Sequence, residues 1–135
     1  MQSPGVYSLS AQVTTAGTQV TSSITGLDGI LAASISLAFL YGSGGTTCDA
    51  FMQTSLDGGT VWQDVAHAAF TTASATKQFN VSGLTSKLTP STPGDGTLAA
   101  DAAIDSILGP TWRMKVISVG VYGASTQVVC RIIAR

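Results

Sequence analysis

The segment from Gln53 to Ala66, which reads QTSLDGGTVWQDVA, constrains the fold of this chain more than any other stretch. Strand-like residues flank an Asp57-Gly58-Gly59 turn on both sides. Glycine reaches positive φ without steric cost, and type I′ or bulged turns of this composition join two antiparallel strands. The segment therefore predicts a β-hairpin.

Four residues of this hairpin match fixed positions of the Asp-box, the S-x-D-x-G-x-T-W turn of sialidase-like propellers. They are Ser55, Asp57, Gly59 and Trp62, whereas Val61 stands where the motif has Thr. In an Asp-box the carboxylate bonds to the turn backbone and the aromatic ring packs beneath it, which is a folding role. A propeller repeats the motif in each blade, and this chain has one copy. We interpret the segment as a turn and assign it no catalytic role.

Strand patterns recur along nearly the whole chain, with turn residues between most of them. In the third pattern, Ile35, Leu37 and Phe39 fall on one face, which is the period of a sheet and not of a helix. The predicted strands are Val6–Val13, Gln19–Thr25, Ile30–Tyr41, Thr46–Ser55, Val61–Phe70, Thr76–Val81, Trp112–Val119 and Gln127–Ile133.

These patterns predict one all-β domain over residues 1–135, an antiparallel β-sandwich, with a jelly-roll strand order as one arrangement they allow. The last two predicted strands are partly apolar on both faces. Something should therefore cover the second faces, either the partner sheet of the sandwich or a neighbouring subunit.

The strand rhythm is interrupted over residues 84–109, where we expect one long excursion between strands. It opens with a Thr, Ser, Pro and Gly cluster. The Ala-rich segment Leu98–Leu108 has apolar residues spaced for one face and predicts a short helix or helical turn, stopped by Gly109-Pro110. Such an excursion either serves a function or docks on a partner, or it is an ordered crossover that caps one end of the sandwich.

Charge is unusually scarce in this chain. Charged residues make up 10% of it and the net charge is −1, against roughly 25% charged residues in typical soluble domains. The few Lys and Arg residues are scattered, so nucleic-acid binding is not expected. A poorly charged surface suits a protein covered by neighbours in a large assembly, and equally an all-β domain with a hydroxyl-rich face.

Membrane insertion is not expected either. The beginning, Met1-Gln-Ser-Pro-Gly5, lacks the basic and apolar regions of a signal peptide, and the apolar run Ile30–Tyr41 is too short to span a bilayer. We expect the chain to be made in the cytoplasm.

Two sets of residues invite other interpretations. Cys48 and Cys130 fit no metal spacing and stand in strand patterns, so buried thiols are favoured over a disulfide. Gly42–Thr46 lacks the lysine and following helix of a phosphate loop, and a second hairpin turn is the preferred interpretation.

Residues with catalytic or binding chemistry are few. His67 is the only histidine, and alternation places it beside Val65 on an apolar face, which favours packing over catalysis. Two aspartate pairs, Asp57 with Asp64 and Asp101 with Asp105, could attract a calcium ion. Neither pair has the clustered oxygens of a calcium loop, so turn and N-cap roles are favoured. Trp62 and Trp112 could form a sugar platform, but core packing is preferred. No catalytic, cofactor-binding or metal residue is predicted, and no enzyme activity.

Three stretches together resemble small structural proteins of tailed bacteriophages and prophages. They are Gly44-Gly-Thr46, the hairpin Gln53–Ala66, and Ile107-Leu-Gly109 followed by Trp112-Arg-Met-Lys115. The resemblance implies a virion component without a cofactor, most simply a capsid decoration or cement protein. Its implied partners are the major capsid protein and further copies of itself, in a homo-oligomer such as a trimer.

The N-terminal segment and the excursion are the expected contact elements of such a subunit. The alternative is a component of the neck, the tail or a head fibre, including a carbohydrate-binding module that recognises the host.

Overall fold

The computed structural model describes residues 5–105 and 107–135 of the chain, and its regular structure over these residues is entirely β-strand. Eight strands have four residues or more. They are β1 (Gly5–Gln12), β2 (Gly17–Val20), β3 (Ala32–Leu40), β5 (Thr47–Ser55), β6 (Gln63–Phe70), β7 (Ala75–Ser82), β9 (Thr111–Val119) and β11 (Gln127–Ala134). Three strands have two residues each: β4 (Ser43–Gly44), β8 (Ala102–Ala103) and β10 (Tyr122–Gly123).

The long strands form two antiparallel sheets that pack face to face. One sheet has four strands in the order β1-β11-β3-β7, and the other has five in the order β2-β9-β5-β6-β8. β4 and β10 form a separate two-stranded ladder. The fold is thus the predicted antiparallel β-sandwich, and the predicted strands match the long observed ones to within a few residues, except that β2 ends early at Val20.

The core lies between the two sheets and is built by strict alternation along the strands. In β3, Ile35, Leu37 and Phe39 are at most 1% exposed, as the period-2 pattern predicted. Met52 and Met114 lie opposite each other in the five-stranded sheet and are fully buried. The inward faces of both sheets therefore form one hydrophobic cluster.

A β-bulge interrupts the alternation in β6. Met52 of β5 pairs with Ala66, but the next residue, Gln53, pairs with Asp64, so Val65 is an extra residue on β6. Val65 belongs to the core cluster, whereas His67 bonds to groups outside it. The prediction that His67 shares a face with Val65 is therefore wrong.

The excursion of residues 84–109 connects β7 to β9 and contains no helix among its described residues. The predicted helix over Leu98–Leu108 is wrong because tertiary contacts override the spacing of its apolar residues. Asp101 has φ of 55°, which no α-helix accommodates. Ala102 and Ala103 then pair with β6 as an edge strand.

The glycine-rich stretch Gly42–Thr46 is not a hairpin turn, which corrects the sequence prediction. It carries the chain from β3 in one sheet to β5 in the other, and β4 within it pairs with β10. Gly45 has φ of +69°, and a Cβ there would overlap the ring of Tyr122. The glycines allow a close backbone approach at this corner.

Candidate functional site

The tip of the β5–β6 hairpin is closed by Ser55 and Asp57. Ser55 Oγ donates to Asp57 Oδ1 over 2.8 Å and accepts from the Gly59 N–H at 2.9 Å. Asp57 Oδ1 also accepts from the N–H groups of Val61 at 2.9 Å and Thr60 at 3.1 Å. These bonds, led by the one from Val61, hold the pKa of Asp57 below its usual value. The residues of the Asp-box motif thus tie a turn together, as predicted.

The two tryptophans occupy different environments. Trp112 is fully buried, and its Nε1 donates to the Gly109 carbonyl over 2.8 Å. The guanidinium of Arg113 lies 4.1 Å from the ring centroid of Trp62, which is a cation–π distance. The prediction of core packing is confirmed for Trp112 and is wrong for Trp62, which is half-buried and stacks against Arg113.

Asp64 is a buried carboxylate, 1% exposed, that holds the excursion in place. Its oxygens accept from three consecutive backbone N–H groups, those of Gly96 at 2.9 Å, Thr97 at 2.8 Å and Leu98 at 3.0 Å. Gln53 Nε2 donates to it as well, over 2.8 Å. Successive N–H groups that converge on one anion form a nest, and bonds to a charged acceptor are the stronger kind. Asp64 therefore pins residues 96–98 to β6.

Asp95 extends this network to the neighbouring strands. Its carboxylate receives Lys115 Nζ at 2.9 Å and Gln53 Nε2 at 2.7 Å, and the guanidinium of Arg113 lies 3.6 Å away. Burial opposes ionisation, but the bonds from Lys115 and Gln53 and the two positive charges outweigh it, so the pKa of Asp95 lies below its usual value. The excursion is thus tied to β5, β6 and β9.

His67 is held between two acceptors and a ring. Its Nδ1 lies 2.8 Å from the Leu98 carbonyl and its Nε2 lies 2.8 Å from Asp49 Oδ1. The imidazole stacks on Phe51 with centroids 4.0 Å apart. Both bonds are complete only when both ring nitrogens carry hydrogen, and His67 then forms an ion pair with Asp49. The histidine therefore also fastens the excursion.

The remaining aspartates of the excursion bond to strand ends. Asp101 Oδ1 accepts from Lys77 Nζ at 2.8 Å and from the Ala69 N–H at 3.1 Å, and these two bonds, in that order, lower the pKa of Asp101. Asp105 Oδ1 accepts from the Ser82 N–H at 3.0 Å. Over residues 5–105 and 107–135, no group of three or more His, Cys, Asp or Glu side chains could hold a metal ion.

Both cysteines are buried free thiols, as the sequence predicted. Burial raises the pKa of Cys48 to about 12, with a contribution from the nearby charge of Asp49. Burial alone raises the pKa of Cys130 to about 12. The Cys130 thiol also contacts the sulfur of Met52 at 3.3 Å. Such thiols are poor nucleophiles.

The outward faces of the two sheets differ. The five-stranded sheet is covered by the chain's own excursion, whereas no described segment covers the four-stranded sheet. Its outer face carries polar side chains without a partner among the described residues, and with Ile133 they line a shallow cavity of about 550 Å³. These side chains are Ser34, Ser36, Gln78, Asn80 and Arg131. Arg131 is the only charged side chain that the four strands place on this face.

One end of the four-stranded sheet collects exposed apolar side chains. Val6 pairs with Ile133 at this end, and Leu31 accepts a bond from Gly83, where the excursion begins. We call Val6, Leu31, Leu84 and Ile133 the apolar end; they are 62%, 55%, 70% and 37% exposed. The N-terminal strand and the start of the excursion thus lie at the same end of the four-stranded sheet, on its two opposite edges.

Sequence reasoning missed the network around Asp64 and Asp95. Each aspartate stands near a glycine or a strand end in the sequence, which indicates only a turn. The bulge at Val65 brings Asp64 and His67 to the same face although they are three residues apart, and no local pattern reports such a bulge. The only available signal was Gly94-Asp-Gly96, which marks a backbone able to form a nest.

Comparison of the chain with protein-family models, curated proteins and solved structures finds no match. No helix within residues 5–105 and 107–135 is long and apolar enough to cross a membrane.

Proposed function

We propose that this chain is a bacteriophage virion structural protein, a capsid decoration or cement protein made in the cytoplasm of the host. In this proposal the subunit oligomerises and bridges copies of the major capsid protein, which stabilises the head. The proposal begins from the resemblance of the hairpin Gln53–Ala66 and its companion stretches to small phage structural proteins. The apolar end is the observation that carries it.

The apolar end includes residues from both elements that the sequence suggested as contacts, one at each edge of the four-stranded sheet. β1 contributes Val6, and the beginning of the excursion contributes Leu84; Leu88, slightly further along, is 92% exposed. Several exposed apolar side chains at one end of a small protein favour a protein interface. The second half of the excursion, from residue 94 onward, is held against its own sheet by the bonds to Asp64. Residues 84–93 are therefore the part of the excursion that can contact a partner.

The strand order supports a jelly roll, the sandwich type found in many viral capsid proteins. The eight long strands can be numbered from first to eighth in chain order. From edge to edge, one sheet then contains the first, eighth, third and sixth strands, and the other contains the second, seventh, fourth and fifth. This is a likeness of architecture, and the same architecture hosts other functions.

The placement of the reactive side chains supports a role without catalysis. Both nitrogens of His67 are occupied by Leu98 and Asp49. Cys48 and Cys130 are fully buried. A cement protein requires a large complementary contact area and no chemical centre.

The first experiment is the copy number of this chain relative to the major capsid protein in purified particles, by quantitative mass spectrometry. Hundreds of copies are expected for a decoration protein. A dozen or fewer would instead place it in the neck, the tail or a fibre, and its absence would overturn the virion proposal.

A pair of variants tests the contact surface. Leu84→Asp places a charge in the apolar end, and we expect particles to bind this variant at least about tenfold more weakly. Val121→Asp is the matched control, because Val121 is 67% exposed and lies beside β4 and β10, at the opposite end of the sandwich. Equal binding of both variants by chain-free particles would move the capsid contact away from the apolar end.

The alternative function is recognition of host carbohydrate by a tail or fibre component. The cavity lined by Ser34, Ser36, Gln78, Asn80 and Arg131 favours it, since hydroxyl, amide and guanidinium groups without partners suit sugar hydroxyls and carboxylates. Loss of glycan binding in Asn80→Ala with retained folding would support this alternative. Unchanged binding, or none in the parent protein, would speak against it.

A further inference from the structure

Among the described residues, three of the four edges of the two large sheets carry features that prevent further strand pairing. The edge strands β2 and β8 have only four and two residues. On β7, Lys77 lies opposite Leu37, a core residue, so a charged side chain points inward at this edge. Lys77 also donates to Asp101 and to the Ala69 carbonyl. Short strands and inward charges are established ways to protect a sheet edge.

The fourth edge, β1, has none of these features. Its eight residues, GVYSLSAQ, include no charge and no proline. Its register with β11 runs without a bulge from Gly5 opposite Ala134 to Gln12 opposite Gln127. Among the described residues, β1 pairs with another strand on one side only. A long, regular, uncharged edge is a ready template for another strand.

The direction of the backbone groups along β1 follows from the next residue. The Val13 N–H donates to the Thr126 carbonyl, in line with the β1–β11 register. Because backbone groups alternate in direction along an antiparallel strand, the odd-numbered residues of β1 bond to β11. The even-numbered residues therefore direct their N–H and C=O groups toward the open edge. They are Val6, Ser8, Ser10 and Gln12.

We propose that β1 pairs antiparallel with β1 of a second copy, across a two-fold axis near Leu9. Outward-directed residues must then oppose one another, which places Ser8 opposite Ser10 of the partner subunit and Val6 opposite Gln12 of the partner subunit. The two four-stranded sheets become one continuous eight-stranded sheet. Leu9 meets Leu9 of the partner subunit on the core side, and apolar packing continues through the interface.

A second copy is the favoured occupant because the strand is complementary to itself. Like charges directly opposite each other destabilise a strand pair, and β1 has no charge to place there. The same residues appear on both sides of a two-fold interface. Because β1 is uncharged, the two paired strands therefore place no like charges opposite each other. The proposal defines the interface of an oligomer and does not rest on the capsid role, since purified protein alone tests it.

Ser8→Pro is the most direct test, by sedimentation velocity over a concentration series. It removes an N–H that faces the open edge and leaves the bonds from β1 to β11 in place. We expect a dimer for the parent chain, a monomer for Ser8→Pro and a dimer for the control Ser8→Thr. A parent chain that is monomeric up to about 100 μM, or a folded Ser8→Pro variant that remains dimeric, would overturn the proposal.

A charge test covers the case in which proline disturbs folding. Ser10→Lys brings two like charges close together across the axis and should shift the dimer toward monomer, with partial recovery in high salt. Gln78→Lys makes the same addition of charge on β7, at the opposite edge of the same sheet, and should leave the dimer unchanged. Equal effects of the two variants would contradict the interface.

Amide exchange of the parent chain gives a readout that needs no variant. The N–H groups of Ser8 and Ser10 should exchange slowly at concentrations where the dimer forms and rapidly after dilution. The Val13 N–H, which bonds within the subunit, should exchange at the same rate in both conditions. Rates at Ser8 and Ser10 that do not depend on concentration would sink the proposal.

Discussion

At the scale of single residues, Asp64 has the largest structural consequence. Its carboxylate is buried on a strand, and the hydrogen bonds that compensate for this burial come from N–H groups in a distant part of the chain. A buried carboxylate without partners is costly, so the network must form as a unit. The folded position of Gly96–Leu98 therefore follows from the need of Asp64 for donors.

Replacing this carboxylate should destabilise the protein. Asp64→Asn keeps the size but removes the charge and directs an amide at N–H donors, and we expect a loss of about 2–4 kcal/mol in the free energy of unfolding. Urea denaturation followed by circular dichroism measures it. Asp28→Asn, at an exposed position, should change the value by less than about 0.5 kcal/mol. Similar values for both variants would show that the nest around Asp64 contributes little.

The two thiols give a second prediction at this scale. Burial raises the pKa values of Cys48 and Cys130 to about 12, and the reactive thiolate is therefore scarce in the folded protein. We expect both to resist a disulfide reagent at pH 8 in the native state and to react fully in denaturant. Rapid labelling of either thiol under native conditions would contradict their burial.

At the scale of elements, the excursion divides into two parts. Residues 94–105 are fastened by Asp64, His67 and Lys77, whereas the side chains of residues 84–90 are all exposed. Local opening is easiest where few buried contacts hold the chain. The excursion therefore combines a fixed second half with an accessible first half.

This division predicts where a protease cuts first. Lys87 stands in the exposed half, while the other interior trypsin sites, Lys77, Arg113, Lys115 and Arg131, lie in strands. Brief trypsin treatment of the native protein should cut after Lys87 and leave two fragments that stay associated. Mass spectrometry identifies the site, and Lys87→Gln should abolish this first cut. A first cut within β9 or β11 would contradict the division.

The elements also show which structural features sequence patterns can reveal. The faces of β3 follow from alternation because each residue there is governed by its nearest neighbours. The conformation of Leu98–Leu108 does not, because the Leu98 N–H bonds to Asp64 and Ala102 and Ala103 pair with β6. The bulge at Val65 and the crossover at Gly42–Thr46 likewise depend on residues far along the chain. Sequence patterns therefore predict the sandwich but not the network that ties the excursion to it.

At the scale of the whole molecule, three carboxylates link stability to acidity. The pKa values of Asp57, Asp95 and Asp101 lie below their usual range, chiefly through hydrogen bonds to the ionised forms. Their contribution is complete above the unfolded value of about 3.9 and is lost as the pH falls through the folded values. The urea midpoint should hold from about pH 7 to pH 5 and fall below about pH 4. Asp101→Asn should make this fall shallower, and an unchanged profile would exclude a role for Asp101 in it.

The position of β11 between β1 and β3 has a consequence for how the protein is made. β11 is an inner strand of the four-stranded sheet, so β1, although synthesised well before β11, has no partner until Gln127–Ala134 has left the ribosome. Folding of that sheet must therefore follow the synthesis of β11. A chain terminated before Gln127 lacks the strand that joins β1 to β3, and its four-stranded sheet cannot form.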